Sequence, residues 1–262
     1  LLRNGELIQT SLANSQQFID YFRPVLEAGQ DVVYIGMSSG ISGTYQASSH
    51  LIDTGDGLIL IDTGYENTLY LLIDSIYKLG YRPEQIKYII NTHWHGDHTA
   101  GSAALANLSG AKNLIGHADF EKAKKYFLAD EVLKEGDTLT LGNCTIEFWE
   151  TPGHTKGTLS LFFDVVEDGK TLRAGMFGGA GRNTLALGKF DYDGCREDYF
   201  ASIRRLREEK VDVMLGNHVW NNDTEEKGKR LLASGRNEFI DSEEWKRFLA
   251  VCRARCLALS PL

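Results

Sequence analysis

Three histidines and an aspartate fall within six residues, His93-Trp94-His95-Gly96-Asp97-His98, directly after the apolar stretch 86–90. No other feature constrains the fold as tightly. A core strand does not tolerate three imidazoles and a carboxylate without partners, and a solvated loop more commonly holds Lys, Glu, Ser and Asn. The run is therefore expected on a loop at the carboxyl end of a strand, where a rigid scaffold presents functional groups. His93 and His95 are two apart, so in extended backbone they point the same way and can share one metal ion. Asp97 and His98 continue round the turn and can face a second ion, with Gly96 expected to let the backbone bend between the pairs.

Four ligands do not fill two sites, so other segments must supply more. His154 lies in Thr151-Pro152-Gly153-His154-Thr155, between strands predicted at 145–150 and 158–165. His218 lies in Leu215-Gly216-Asn217-His218 and follows the apolar stretch 211–215, the same strand-end placement as His93. Together with the histidine run they complete two sites of three ligands each. Imidazole nitrogen and carboxylate oxygen suit zinc, with iron and manganese as alternatives. His50 and His117 have no partners in the sequence and read as non-ligands, His117 on a surface loop. Cys144, Cys195, Cys252 and Cys256 lack C-x-x-C spacing and read as free thiols.

The periodicity predicts an amphipathic helix over 15–28 and a strand over 31–36. Strands 49–54 and 58–62 are expected to join through a tight Asp56-Gly57 hairpin. A helix over 66–79, the strand 86–91, a helix beginning after His98, a strand 113–116 and a helix near 118–127 follow. Further strands are expected at 138–142, 145–150, 158–165, 171–176 and 211–216, and helices at 197–209, 224–234 and 242–257. The strands thus fall in two sets flanked by helices, which suggests two sheets packed face to face with helices outside. The formal net charge of -8 over 262 residues excludes a polybasic nucleic-acid or membrane surface. The expected partner is a small-molecule substrate, with no nucleic acid and no membrane; the oligomeric state is left open.

In this combination the chain resembles the metallo-β-lactamase fold superfamily over roughly residues 45–235. The resemblance rests on Leu58-Ile59-Leu60-Ile61-Asp62-Thr63-Gly64, on Thr92 through His98, on Thr151-Pro152-Gly153-His154-Thr155 and on Gly216-Asn217-His218, which occur in the family's order. It implies an α/β fold, an αβ/βα sandwich of two mixed sheets with helices outside. Carried over by position, it implies that His93, His95 and His154 hold the first zinc and Asp97, His98 and His218 the second. Met176 stands where most of the superfamily's hydrolases have a bridging Asp, and a thioether is a poor zinc ligand beside imidazoles. The remaining set resembles the third subclass of metallo-β-lactamases, of Asp-His-His type, and argues against the glyoxalase II, RNase Z and alkylsulfatase-like branches. A flavodiiron oxidoreductase would carry Glu at position 95. Asp62 is expected to orient a metal-binding histidine or to serve the turn alone. Trp94, Asn183, Trp220 and Asn221, together with Tyr192, are candidate substrate contacts, with Trp94 alternatively a cover for its own loop.

Residues 10–48 carry a second resemblance. Thr10-Ser11 and Ser38-Ser39-Gly40-Ile41-Ser42-Gly43-Thr44-Tyr45-Gln46-Ala47-Ser48 look like part of the DegV-like fatty-acid-binding family. The expected division is an N-terminal DegV-like segment, 1–48, and a metallo-hydrolase domain, 49–262. In it, residues 32–36 supply the first strand of the sandwich, and the Ser/Gly-rich stretch lies near the cleft.

The expected activity is hydrolysis of a β-lactam, a cyclic amide, by hydroxide held between two zinc ions, with Asp97 as proton carrier and no serine or cysteine nucleophile. Hydrolysis of a lactone, thioester or phosphoester is the alternative, and a non-catalytic lipid- or carboxylate-binding protein a third. The chain as it stands reads as cytoplasmic, or as secreted or periplasmic if a leader was removed.

Overall fold

The computed structural model describes residues 33–36 and 47–259. The helix expected over 15–28 and most of the Ser/Gly-rich stretch lie outside them.

Two sheets form the centre. The first has strands β1 (Val33–Gly36), β2 (Ser49–Asp53), β3 (Leu58–Ile61), β4 (Ile86–Asn91), β5 (Lys112–Gly116) and β6 (Glu131–Leu133), in that order. The second has β7 (Thr138–Leu141), β8 (Cys144–Glu150), β9 (Leu159–Glu167), β10 (Lys170–Met176) and β11 (Val213–Leu215), ordered 11-10-9-8-7. Both are mixed. β1, β2 and β3 pair antiparallel, β3 through β6 parallel, β7 through β10 antiparallel, and β10 with β11 parallel. β1 joins the sheet as its outer strand, with Val33 opposite Ile52.

The continuous apolar runs follow from burial on both faces. In β3, Ile59 and Ile61 face the second sheet and pack in one cluster with Ile146, Phe148, Leu161, Phe163 and Leu215. Leu58 and Leu60 face the other way, onto Leu69, Leu72 and Ile76 of the helix Leu69–Lys78 and Leu105 of the helix Ser102–Ser109. The outer face of the second sheet is covered likewise. Phe162 and Met214 pack against Tyr199, Ile203 and Leu206 of the helix Cys195–Leu206 and against Trp245 and Leu249 of the helix Glu244–Leu257. Each such aliphatic side chain contributes about 1.5–3 kcal/mol relative to exposure. The result is the four-layer sandwich expected, and the four cysteines are buried and form no disulfide with one another. Among the described residues no helix is long and apolar enough to cross a membrane.

Several local expectations need correction. The β2–β3 connection is a four-residue loop rather than a two-residue turn. Thr54 closes it through backbone N–H and Oγ1 bonds to Gly57 O, and Gly55 and Gly57 both take positive φ. The helix expected near 118–127 is a 3-10 turn, His117–Asp119, and one helical turn, Phe120–Ala123. β6 was not expected, since three residues carry no readable period. The helix expected after His98 is present as Ser102–Ser109, and a separate single turn, Gly96–Thr99, precedes it, in which the N–H groups of His98 and Thr99 both reach His95 O. At Gly96 the backbone passes from the extended His95 into this turn without a positive φ. A Cβ there would lie 2.7 Å from Tyr126 Oη, so the glycine admits a close neighbour.

Candidate active site

The carboxyl ends of β3, β4 and β11 and the β8–β9 turn converge at one edge of the sandwich. β4 delivers His93 and His95 on the segment that leaves it, and the turn Gly96–Thr99 delivers Asp97 and His98. His154 comes from the β8–β9 turn and His218 from the residue that opens the 3-10 turn Val219–Asn221. The six side chains gather as two triads, His93 with His95 and His154, and Asp97 with His98 and His218. Within each triad one donor atom per residue lies within 4.8 Å of the others. The triads adjoin, since the rings of His93 and His98 are 4.1 Å apart.

Asp62 organises the junction. It follows β3, is wholly buried and takes a left-handed φ of 57°. Its Oδ2 accepts from His98 Nδ1 at 2.7 Å and from Thr92 Oγ1 at 2.8 Å, and its Oδ1 accepts from Thr92 N at 2.8 Å. With its hydroxyl proton given to Asp62, Thr92 Oγ1 is left to accept from His93 Nδ1, 3.1 Å away. One carboxylate thus places the Nδ1 protons of both His98 and His93, and leaves each Nε2 with a bare lone pair. His154 is set in the same manner, with Nδ1 donating to Gly181 O at 3.0 Å and Thr184 Oγ1 donating to His154 O at 2.6 Å.

The residues present fit a metal pair. Nε2 of His93 and Nε2 of His98 are buried and have no hydrogen-bond partner, a cost a bound cation removes. His95 Nδ1 and His154 Nε2 face each other at 3.0 Å, close to the roughly 3.3 Å between neighbouring nitrogens in a tetrahedral zinc site. Asp97 Oδ2 lies 3.6 Å from His98 Nε2 and 4.0 Å from His218 Nε2. Burial holds His93 and His154 well below the usual imidazole range and His95 at about 4. The first triad is therefore neutral, as ligation requires. Burial also pulls His98 down, but the charge and hydrogen bond of Asp62, with help from Asp97, outweigh it and leave the ring above its ordinary value.

Met176 is fully buried in the core between the sheets, opposite Leu161 and Leu215. The segment after it, Phe177-Gly178-Gly179-Ala180-Gly181, is rich in glycine. A Cβ on Gly178 would lie 2.1 Å from Leu159 O, and one on Gly181 2.8 Å from His154 Cε1. Among the described residues, the triads are the groups able to hold a metal.

The remaining candidates separate. Trp220 is 48% exposed and stacks on His218 with ring centroids 4.4 Å apart and planes 9° from parallel. Asn183 is exposed, beside Gly181 and Thr184. Trp94 packs against the cluster of Ile115, Ala123 and Phe127, with its ring 4.5 Å from that of His95. Asn221 Nδ2 donates to Asn217 Oδ1, and Tyr192 Oη to Asp198. His117 is exposed, whereas His50 is completely buried.

Residues not singled out by the sequence also shape the site, Thr92 and Thr184 among them. Asp119, buried, accepts from Trp94 N, Thr155 Oγ1 and Gly157 N, and so ties the His93–His95 segment to the His154 turn. Burial pushes its carboxyl up to about 6 against those bonds. An acid just beyond the end of an apolar strand, as Asp62 also is, was the available signal.

The profile of the metallo-beta-lactamase superfamily matches residues 42–218. The chain belongs to the metallo-beta-lactamase superfamily. A second profile, of the uncharacterised DegV family, matches residues 1–66 and overlaps the first. Among solved structures, a subclass B3 metallo-beta-lactamase of Bradyrhizobium japonicum is similar with a TM-score of 0.76 and 29% identity, over 86% of this chain and 89% of that one. An N-acyl homoserine lactonase of a Bacillus species is 27% identical over 210 residues, 65% of this chain and 80% of that protein. A hydroxyacylglutathione hydrolase of Hyphomonas neptunium is 33% identical over 122 residues, 47% of this chain and only 43% of that protein. The chain is thus a metallo-beta-lactamase superfamily hydrolase with clustered His and Asp side chains suited to divalent metal.

Proposed function

We propose that this chain is a dinuclear zinc hydrolase that opens β-lactam rings. The observation that carries the reading is the second triad, Asp97 with His98 and His218, which shares no carboxylate with the first and has glycine and a core-facing Met176 where a further ligand would have to come from. The similarity to a subclass B3 enzyme over 89% of that chain supports it.

His93, His95 and His154 would hold one ion and Asp97, His98 and His218 the other. Zinc in such a pair supplies Lewis acidity, polarising a carbonyl oxygen and acidifying water. The chain supplies the rest. Asp62, Thr92 and Gly181 hold protons on the Nδ1 atoms of His98, His93 and His154, so that the Nε2 atoms stay free. Burial of His93, His98 and His154 keeps bulk water from the back of the site. Asp97, the least buried donor of its triad, moves the proton, from the attacking water to the leaving ring nitrogen. Trp220 and Asn183, exposed at the rim, contact the substrate.

A second reading, lactone hydrolysis, is favoured by the lactonase relative, which is matched over 80% of its length. The test is metal analysis followed by parallel assays with a carbapenem, an N-acyl homoserine lactone and a hydroxyacyl thioester. Two zinc per chain and fastest turnover of the carbapenem are expected. Lactone turnover without β-lactam cleavage would overturn the substrate, and wild-type activity in His93→Ala the entire mechanism.

A further inference from the structure

His50 is an odd residue for its place. It sits on β2, opposite Ile61 of β3, with the apolar Leu51 and Ile52 following, and none of its surface is exposed. An apolar side chain would fill that space without the desolvation that drives this imidazole down to about 4. What it gains is a hydrogen bond to the opposite sheet, Nε2 donating to Gly216 O at 2.9 Å, across 166 positions in sequence. Gly216 directly follows β11 and lies two residues before His218.

The contact is one of three along a seam. Ser48 N donates to Asn217 O at 2.9 Å, and Ala47 forms an antiparallel bridge with His218. From the other side, Asn217 Nδ2 donates to Gly178 O at 2.7 Å. The turn at Gly216 is tightly folded on itself, since a Cβ there would lie 2.8 Å from His218 O and 2.9 Å from Asn222 Oδ1. The same hairpin, β2–β3, therefore grips both halves of the second triad. Its β3 end carries Asp62 to His98, and its β2 strand carries His50 to the main chain leading to His218.

We infer that His50 is a positioning residue, which sets the reach of His218 toward Asp97 and His98 by holding the Gly216 carbonyl. The inference rests on the reading that this triad binds the second metal ion. The test is zinc titration of the full chain against a competing chelator, with visible spectra of the cobalt(II)-loaded protein, on wild type, Asp97→Ala, His50→Met and His50→Gln. His50→Met is expected to weaken the second zinc equivalent about 10-fold, leave the first unchanged and shift the spectrum of the second cobalt equivalent. His50→Gln, whose Nε2 can donate to the same carbonyl, is expected to restore both. Should His50→Met not fold, His50→Asn, with its amide too short to reach, is expected to behave as His50→Met does. Wild-type affinity for both equivalents in the folded apolar or short variant, or no rescue by His50→Gln, would overturn the role of His50 alone. A wild type that takes up no second equivalent, or an Asp97→Ala variant that keeps it, would overturn the two-metal reading and this inference with it.

Discussion

Replacing Asp62 by Asn probes how the site sets its protons while leaving its shape almost unchanged. Asn tolerates the left-handed φ of 57° at this position better than most residues, so backbone strain is not added. The carboxylate accepts three hydrogen bonds, whereas the amide has one accepting and one donating end. If its oxygen stays at Thr92 N, its NH2 meets His98 Nδ1 and drives that proton to Nε2, the nitrogen facing Asp97. If its oxygen faces His98, its NH2 confronts Thr92 N–H. Either arrangement loses a charge-assisted bond in a buried place, about 1.5–3 kcal/mol of stability. Loss of such a partner lowers metal affinity about 10–100-fold, or about 1.4–2.7 kcal/mol. The second equivalent is expected to suffer most, because His98 is held directly and His93 only through Thr92. Chelator-competition titration resolves the two equivalents, and long-range nitrogen–proton NMR of the zinc-free protein reads the His98 tautomer. Wild-type affinity at both sites with the His98 proton still on Nδ1 would refute the reasoning.

Other consequences follow from individual contacts. His50 is neutral in the folded protein down to about pH 4, whereas an unfolded histidine protonates near 6.5. The unfolded state thus binds more protons between those values, and stability falls by about 3 kcal/mol as pH drops through the window. Urea melts of wild type and His50→Gln across that range are expected to diverge by this amount, and parallel profiles would contradict it. Gly96→Ala places a Cβ 2.7 Å from Tyr126 Oη and is expected to cost about 1–3 kcal/mol. Adding Tyr126→Ala should recover much of the loss by removing the clash, and a double variant whose Tm is no higher than that of Gly96→Ala would speak against a clash. Asp119→Ala strands the Trp94 and Gly157 N–H groups and the Thr155 hydroxyl, with an expected loss of about 3 kcal/mol in denaturant unfolding. A loss under about 1 kcal/mol would show that solvent satisfies those donors.

The candidate metal-binding residues and the two-sheet plan were legible in the chain itself. His93 and His95 after a mostly apolar strand, and His154 and His218 at other strand ends, are local patterns, and local spacing decides which way neighbouring side chains point. A strand buried on both faces likewise reads as an unbroken apolar run, as in β3. Spacing did not reveal that Gly96 serves the approach of Tyr126, that Asp97 and His98 ride a helical turn, or that Met176 faces the core. Nor did it reveal which residues hold the ligands in place. Asp62 reaches His98 across 36 positions, Thr184 reaches His154 across 30, and His50 reaches Gly216 across 166. Those partners meet only when the two sheets pack and the strand ends converge. Burial then obliges each polar atom to find a partner among whatever the packing brings within reach, and periodicity along the chain carries no record of that choice.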